Sequence, residues 1–469
     1  MSGYFNTVAA ISTPPGKGGV AIIRMSGGEA DAIAERVFIC ASGKPYSSIA
    51  PRIQTYGFIC EPEDEKSGSR ERIDDVLLTR FPSPNSYTGE DTVEIYCHGG
   101  ILVTRCVLEA LIRAGARAAE AGEFTRRAFI SGKLSLTEAE AIGNLLDAGS
   151  RDQIRLSSEP SRRRLMERIG EIRKSLVGIM SSVYARIDYP DEDLGDYTDD
   201  ELMDALCEVR DKLSSLASTY RTGRAISEGI RTVIAGKPNA GKSSLYNLLC
   251  GEDAAIVTDV AGTTRDVLER TVPLGKVMLR LCDTAGIRDG AELDKVEAIG
   301  IQKSRDLMAK CELLFAIFDN SREFDAEDEA LISEISKLNC TKLALINKSD
   351  KERRLDSSRI LGFSDVIEIS TLCEADTIEA LRRFAEEKFT DGTIRVGNDA
   401  VISSARQHGA LTAALDSLSE AIRDLEAGFM QDAVSGHIER AIGSIGELDG
   451  RQVGEEIVAD IFSKFCVGK

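Results

Sequence analysis

The sequence carries a glycine-rich motif of eight residues that could bind phosphate. Residues 236–243 read Gly-Lys-Pro-Asn-Ala-Gly-Lys-Ser and lie between an apolar run and a stretch with a helical pattern. In such a motif the glycines let backbone N–H groups approach phosphate oxygens, Lys242 reaches the β- and γ-phosphates, and Ser243 binds Mg²⁺. The start of the following helix adds a positive dipole end. The motif therefore predicts a nucleoside triphosphate site.

A carboxylate that could hold the same metal ion follows downstream. Asp283-Thr284-Ala285-Gly286 comes directly after the apolar-rich run KVMLRLC. This position places Asp283 at a strand end, where it can hold Mg²⁺ through water, and the N–H of Gly286 near the γ-phosphate. Thr264, in the segment Gly-Thr-Thr-Arg-Asp, is the candidate for the second direct contact with Mg²⁺.

Two further motifs predict the base that is bound. Asn347-Lys348-Ser349-Asp350 follows the apolar strand pattern TKLALI, and Ser370-Thr371-Leu372 follows DVIEI. The Asp350 carboxylate can accept the N1–H and the exocyclic amine of guanine, a pair of donors that adenine lacks on that edge. The sequence thus predicts GTP and GDP as ligands. Besides the residues already named, the predicted nucleotide contacts are Asn239, Ala240, Gly241 and Ser244 of the P-loop motif.

Ile287 follows the Asp-Thr-Ala-Gly motif, at the position where a Ras-like hydrolase uses Gln to orient the attacking water. A hydrocarbon side chain cannot polarise water. Another element must therefore assist hydrolysis, and three candidates stay open: a second cation in the phosphate site, a carboxylate from residues 287–300, or a partner protein.

Length and composition limit the class of protein. The chain has 469 residues, a net charge of −19, 11 Cys and 3 His. The length suggests about three domains, and the negative charge argues against charge-driven coating of nucleic acid. No apolar run is long enough to span a bilayer and no signal peptide is recognisable, so we expect a cytoplasmic protein without membrane insertion. The cysteines are scattered without a C-x-x-C pair, which disfavours a zinc site or a disulfide framework.

The element pattern predicts a multidomain α/β protein. Residues 1–131 read as mixed α/β, residues 132–223 as helical, residues 224–390 as alternating strands and helices, and residues 391–469 as helical again. Strands that alternate with helices favour a doubly wound, mainly parallel sheet. We therefore expect a P-loop GTPase domain inserted into an all-α domain whose two halves pack together.

Taken together, these residues resemble the MnmE/TrmE family of tRNA-modification GTPases. The resemblance covers the whole chain and includes Thr-Pro-Pro-Gly-Lys-Gly-Gly at 13–19, Pro-Asn-Ser-Tyr-Thr-Gly-Glu-Asp at 84–91 and Phe-Cys-Val-Gly-Lys at 465–469. The terminal Cys-x-Gly-Lys is the most diagnostic of these motifs.

The resemblance implies that the GTPase domains of a homodimer meet across bound K⁺ and activate each other. The residues that resemble the potassium site are Asn239, Thr258, Val260 and Thr263. Glu297 resembles the catalytic carboxylate that positions the attacking water, although this chain carries about two extra residues before it, and a solvated acid in a switch helix is the alternative.

The resemblance also implies that the amino-terminal domain binds a tetrahydrofolate. The same domain would mediate dimerisation. Arg24, Glu94, Lys133 and Lys469 occupy the matching positions. A pterin presents the same N–H and amine edge as guanine, so Glu94 could accept from it. Considered without the resemblance, each of the four would be an ordinary surface charge or a strand-edge residue.

Cys466 lies three residues before the end of the sequence, close to Lys469. One interpretation is a small buried residue, the commonest place of a free cysteine. The other is a catalytic thiol near the folate, favoured as thiolate by the neighbouring cation. The sequence leaves open whether the thiol acts as a nucleophile, as an acid–base group or as neither.

The family resemblance implies the reaction. With an FAD-dependent MnmG-type partner in a heterotetramer, the protein would form a 5-carboxymethylaminomethyl or aminomethyl group on the wobble uridine of certain tRNAs. The carbon would come from 5,10-methylenetetrahydrofolate, with 5-formyltetrahydrofolate as an analogue. No G-x-G-x-x-G follows a strand in this chain, which agrees with FAD on the partner. The alternative is a regulatory GTPase switch that acts on the ribosome or its assembly without RNA-modifying chemistry.

Overall fold

The computed structural model describes residues 6–62, 70–188, 198–251, 269–282, 307–450 and 454–468. By its contacts the chain divides into two compact units. The first unit comprises residues 1–143 and 446–469, and the second comprises residues 144–445.

Strands and helices alternate over much of the described chain. The strands are β1 Val8–Ile11, β2 Val20–Ser26, β3 Phe38–Cys40, β4 Thr55–Cys60, β5 Arg72–Phe81, β6 Thr92–His98, β7 Arg117–Ala118, β8 Ile230–Gly236, β9 Glu269–Leu274, β10 Val277–Cys282, β11 Leu313–Asp319, β12 Thr341–Asn347 and β13 Asp365–Glu368. The helices are α1 Ala30–Val37, α2 Ile101–Arg113, α3 Glu123–Ile130, α4 Leu136–Leu146, α5 Arg151–Ser157, α6 Glu159–Asp188, α7 Asp199–Ser218, α8 Tyr220–Ser227, α9 Lys242–Cys250, α10 Ala326–Ser336, α11 Glu374–Phe389, α12 Ala405–Glu426, α13 Gln431–Asp449 and α14 Glu455–Ser463.

A seven-stranded sheet in the order β3-β4-β5-β6-β2-β1-β7 forms the first unit. Its pairs are antiparallel except for β1 with β7. Side chains alternate along β2: Ala21, Ile23 and Met25 join the apolar core with α1 and α2. Because successive strand residues point to opposite faces, Arg24 lies on the other face of the sheet.

A six-stranded sheet in the order β13-β12-β11-β8-β10-β9 organises residues 230–368 of the second unit. All its pairs are parallel except β9 with β10. Separate apolar cores cover its two faces, one containing Leu245, Phe315 and Leu381, the other Val233, Phe318 and Ile335. The predicted doubly wound, mainly parallel sheet is confirmed.

Helices α5 to α8 and α12 supply most of the remaining second unit. Three of them begin with a capping box, in which Ser150 pairs with Gln153, Thr198 with Glu201 and Ser404 with Gln407. The buried apolar residues of α7 recur every three or four positions, from Leu202 through Leu206 and Val209, as expected of a helix with one face in a core. None of the helices in the described ranges is long and apolar enough to cross a membrane.

Candidate functional site

The phosphate-binding motif lies in the turn from β8 to α9, as predicted. The ammonium of Lys242, the first residue of α9, donates to the carbonyls of Gly236 at 2.8 Å and Lys237 at 2.7 Å. Gly241 has a φ of 110°, and a Cβ there would collide with the amide of Asn347. Only glycine fits this combination of left-handed backbone and close approach.

The predicted base-recognition motif closes over the same loop. The side chain of Asn347 donates from Nδ2 to the carbonyl of Ala240 at 2.9 Å and accepts from the backbone N–H of Thr371 at 3.2 Å. The ammonium of Lys348 donates to the carbonyl of Asn239 at 3.0 Å. The motifs at the carboxyl ends of β8, β12 and β13 therefore form one connected site.

Asp350 presents an exposed carboxylate at the edge of this site. The hydroxyl of Ser370 donates to its Oδ1 at 2.6 Å. This hydrogen bond lowers the pKa of Asp350, so the side chain is a carboxylate that can accept two hydrogen bonds from a base edge. Thr371 is half-buried and Leu372 is exposed beside it, which leaves this end of the site open to a planar ligand.

Only some of the predicted metal contacts lie in the ranges that the structure describes. Asn239, with a φ of 64°, and Ser243 and Ser244 at the start of α9 are exposed. The predicted site residues that lie outside the described ranges are Thr258, Val260, Thr263, Thr264, Asp283, Thr284, Ala285, Gly286, Glu297 and Lys469.

Two contacts of the phosphate-binding loop were not predicted from the sequence. Asp319, the last residue of β11, accepts from the ammonium of Lys348 at 2.6 Å and thereby holds that lysine against the loop. Lys237 is buried and its ammonium contacts Asp325 at the start of α10. The motif accepts any residue at position 237, so it does not identify Lys237. Asp319 could have been found from the sequence, because it is an acidic residue at the end of an apolar strand.

In the first unit, the predicted folate residues Arg24 and Glu94 form an ion pair. They are neighbours across β2 and β6, and Nε of Arg24 donates to Oε1 of Glu94 at 2.9 Å. The guanidinium lies 5.2 Å from the ring centre of Tyr87 and 5.7 Å from that of Phe124. The pair therefore sits among aromatic rings, which favour a flat, polar ligand.

Tyr96 supports Glu94 from the same strand. Its hydroxyl donates to Oε2 of Glu94 at 2.8 Å, and burial together with this contact raises the pKa of Tyr96 to about 12. The phenol therefore remains a proton donor throughout the physiological range. Lys133 is exposed and donates to the carbonyl of Pro84 at 2.9 Å, in the loop that also carries Tyr87.

The carboxyl-terminal motif returns to this region of the first unit. The carbonyl of Cys466 accepts from the N–H of Gly122 at 3.4 Å, and that of Gly468 accepts from the hydroxyl of Ser12 at 2.9 Å. Gly122 is two residues from Phe124, which contacts Arg24. The Cys466 side chain is exposed, which excludes the interpretation as a buried packing residue.

Helix α8 joins the helical part of the second unit to β8. The hydroxyl of Thr222 accepts from the backbone N–H of Asp391 at 2.8 Å, and that of Thr219 accepts from Ile402 N–H at 3.1 Å. A Cβ at Gly223 would collide with the Ile402 carbonyl. The segments that enter and leave residues 230–389 are therefore bound side by side.

A P-loop between β8 and α9, an Asn-Lys-x-Asp motif after β12 and a carboxylate poised for guanine define a GTP-binding protein of the P-loop class. Comparison with known proteins places the chain within that class. A family model described as the MnmE helical domain matches residues 136–466, and another, the GTP-binding protein TrmE N-terminus, matches residues 7–133. The chain belongs to the MnmE/TrmE family of GTPases, as the sequence motifs predicted.

Similar proteins span the full length of the chain. The tRNA modification GTPase MnmE of Lactiplantibacillus plantarum is 37% identical over 469 residues, which cover 99% of each chain. Its counterpart in Lacticaseibacillus paracasei is 38% identical over 467 residues, 99% of this chain and 98% of that one. The protein of the same name from Clostridioides difficile is 36% identical over 467 residues, 99% of each chain.

Proposed function

We propose that this GTPase, stimulated by K⁺, acts with an FAD-dependent MnmG-type partner to form a 5-carboxymethylaminomethyl or aminomethyl group on the wobble uridine of tRNA. The observation that carries the proposal is one chain that combines a guanine-type site with the Arg24–Glu94 pair and an exposed Cys466. A regulatory switch on the ribosome needs only the first of these. The relatives named for tRNA modification support the same choice.

The amino-terminal residues fit a reduced folate by their chemistry. The Glu94 carboxylate can accept hydrogen bonds from the N–H and the amine of a pterin. Arg24 and Tyr96 hold this carboxylate in place. Lys133 supplies a cation for the acidic tail, as would Lys469. Bound methylenetetrahydrofolate would supply the one-carbon unit, and the exposed Cys466 is the nucleophile or acid–base group that this chain brings to that side of the unit.

The nucleotide residues fit a magnesium-bound triphosphate. Lys242 would move from the two loop carbonyls to the phosphate oxygens, and the exposed Ser243 hydroxyl would bind Mg²⁺ together with Thr264. Oxygen donors of Asn239 and of residues 258, 260 and 263 suit a large, weakly hydrated cation such as K⁺. Glu297 would position the attacking water, a task that the hydrocarbon side chain of Ile287 cannot perform.

GTP hydrolysis is not chemically required to attach a one-carbon unit, so we assign it a mechanical role. Pairing and release of the GTPase domains would move β8, and helix α8 would transmit this movement because Thr222 and Gly223 bind it to the exit segment near residues 391–402. In this proposal α8 couples the nucleotide-bound state of the GTPase domain to the conformation of the helical domain.

Homodimer formation has a structural argument in the first unit. Val20, Ile101 and Leu102 are more than half exposed, and Val20 and Ile101 line a cavity of about 720 Å³ between the 13–18 loop and α2. Exposed apolar side chains that adjoin such a cavity favour contact with another chain.

The net charge of −19 favours a partner protein that supplies much of the tRNA contact. We place the protein in the cytoplasm, where its tRNA substrate is.

Nucleoside mass spectrometry of tRNA tests the proposal. A deletion strain is rescued by wild type, Lys242→Ala or Cys466→Ser, and the C5-modified wobble uridine is quantified. We expect the nucleoside to return only with wild type. If deletion leaves the nucleoside profile unchanged and no second pathway exists, the regulatory-switch alternative replaces the proposal.

A further inference from the structure

Lys237, the second residue of the phosphate-binding loop, is held by carboxylates on a different element. Its side chain is only 9% exposed, and its ammonium lies 2.5 Å from Asp325, 3.0 Å from Glu327 and 3.6 Å from Asp328. Asp325 and Asp328 form the capping box that begins α10. One side chain therefore ties the loop after β8 to the start of a helix almost 90 residues later in the sequence.

Two of the carboxylates that face Lys237, those of Asp325 and Asp328, are held by further contacts. Asp325 accepts backbone N–H groups of Glu327 at 2.9 Å and Asp328 at 3.2 Å, and Arg322 donates to Asp328 at 3.0 Å. The Lys237 ammonium, with these backbone bonds, lowers the pKa of Asp325 to about 2. Asp325, whose side chain is 49% exposed, is thus charged at working pH and oriented by two backbone hydrogen bonds.

The same residue contacts the catalytic lysine through its backbone. The carbonyl of Lys237 accepts from the ammonium of Lys242 at 2.7 Å. Any movement of residue 237 therefore changes the position of a group that orients Lys242, and with it the row of loop N–H groups that faces the phosphates. On the opposite side, Lys348 holds the loop at Asn239. Lys237 and Lys348 thus hold the loop from two sides, in addition to the contact of Asn347 with Ala240.

We propose that Lys237 is a positioning residue for nucleotide binding: its ion pair with the start of α10 holds the phosphate-binding loop in the shape that receives the phosphates of GTP and GDP. The residue touches no reacting atom in this account. Its single positive charge also offsets part of the negative charge of Asp325, Glu327 and Asp328, which would otherwise oppose a phosphate anion. Lys237 therefore acts on the affinity for nucleotide through the shape of the loop.

The test compares the variants Lys237→Met, Lys237→Arg and Asp325→Asn in the full-length chain with the control Lys212→Met. Lys212 pairs with Glu208 on the surface of α7. Stopped-flow fluorescence with mant-GDP gives Kd and the release rate, and steady-state hydrolysis of GTP gives kcat and KM. The loss of one charge-assisted contact predicts a Kd for Lys237→Met raised about tenfold, mainly through faster release.

Three further results follow from a positioning role and not from general destabilisation. KM for GTP rises together with Kd, Lys237→Arg recovers most of the affinity, and Asp325→Asn shifts Kd in the same direction as Lys237→Met. Lys212→Met behaves as wild type. A folded Lys237→Met protein with unchanged Kd overturns the proposal, and so does a Lys237→Arg variant as weak as Lys237→Met. Should Lys237→Met fail to fold, an unchanged Kd in Asp325→Asn overturns it.

Discussion

The backbone N–H of Asp391 donates to the hydroxyl of Thr222 at 2.8 Å across 169 positions of sequence. This contact joins the segment that leaves the six-stranded sheet to the helix that leads into it. Arg224, on the same helix, forms an ion pair with Glu312, which also accepts from the N–H of Arg231 at 3.2 Å. Helix α8 is therefore bonded to the sheet and to the exit segment.

Replacing Thr222 by Val removes the hydroxyl and keeps the shape of the side chain. We expect GTP hydrolysis to remain near the wild-type rate, while tRNA modification falls about fivefold or more, because the loss of the contact weakens the coupling between the two activities. Hydrolysis is measured by phosphate release, and modification by nucleoside mass spectrometry. Thr412→Val, at an exposed position of α12, is the matched control. Equal losses in both activities would contradict a coupling role.

Replacing Lys242 by Ala removes the ammonium that the loop carbonyls now hold. We expect GTP hydrolysis to fall by roughly 100-fold or more, since the γ-phosphate loses its principal stabilising cation. Wobble-uridine modification should fall with it. Phosphate release and tRNA nucleoside analysis on the same preparation check both effects. Modification that survives in this variant would show that hydrolysis is dispensable for the chemistry.

Asp350→Asn should change the base that is bound. An amide in place of the carboxylate can no longer accept both guanine donors, but its N–H₂ can donate to the 2-carbonyl of xanthine. We expect affinity for GDP to fall roughly 100-fold and affinity for xanthosine diphosphate to rise, as the exchange of a charged hydrogen-bonding pair predicts. Displacement of mant-GDP by each nucleotide measures this. The control is Asp356→Asn, an exposed carboxylate that accepts from Ser358, which should retain guanine preference.

Glu94→Gln tests the amino-terminal site without altering its size. We expect affinity for 5-formyltetrahydrofolate to fall about tenfold, because an amide retains one acceptor oxygen where the ligand and Arg24 need a carboxylate. Equilibrium dialysis measures the affinity. Glu109→Gln, on the exposed face of α2, should bind normally. An unchanged affinity in the Glu94 variant would exclude this carboxylate from the folate site.

Glu123 should make the first unit sensitive to acid. Burial opposes its ionisation, but the N–H of Glu120 and the guanidinium groups of Arg117 and Arg127 outweigh burial and hold its pKa below the usual 4.5. Because the folded pKa is depressed, this stabilisation is complete above about pH 4.5 and is lost as the pH falls further.

The variant Glu123→Gln measures that contribution. Removing one partner from a buried ion pair should lower the free energy of unfolding at pH 7 by about 3 kcal/mol, and the variant should show a flatter loss of stability between pH 5 and 3. Urea unfolding at several pH values provides both numbers. Asp460→Asn, which removes an exposed pair with Lys464, should leave the curve unchanged. A parallel pH dependence in wild type and Glu123→Gln would assign the acid sensitivity elsewhere.

Strong local patterns made much of the fold predictable. In residues 1–131 the strand patterns NTVAAIS, GVAIIRMSG, DDVLLTRF and DTVEIYCHG correspond to β1, β2, β5 and β6, and the helical pattern ILVTRCVLEALIRAG is α2. The runs that form β3 and β4 were not predicted, since β3 has only three residues and β4 contains a glycine. Their pairing comes from tertiary contacts rather than from local preference.

The nucleotide site was predictable because its chemistry requires fixed residue types at fixed strand ends. The contacts that support it were not. Lys237 occupies a free position of the motif, and its partner Asp325 lies on a different helix. Thr222 meets Asp391 only because the chain folds back on itself. A single sequence reveals neither contact, since the two residues of each pair lie far apart in the chain and their spacing matches no motif.

The adjacency of Thr222 and Asp391 also describes how the chain is built. The ends of the intervening block meet, as is usual where a segment is inserted into another domain. A short glycine-serine linker between residues 222 and 391 is long enough to close the gap. The insertion is therefore modular in its connections: residues 223–390 leave and rejoin the helical part at neighbouring positions of the structure.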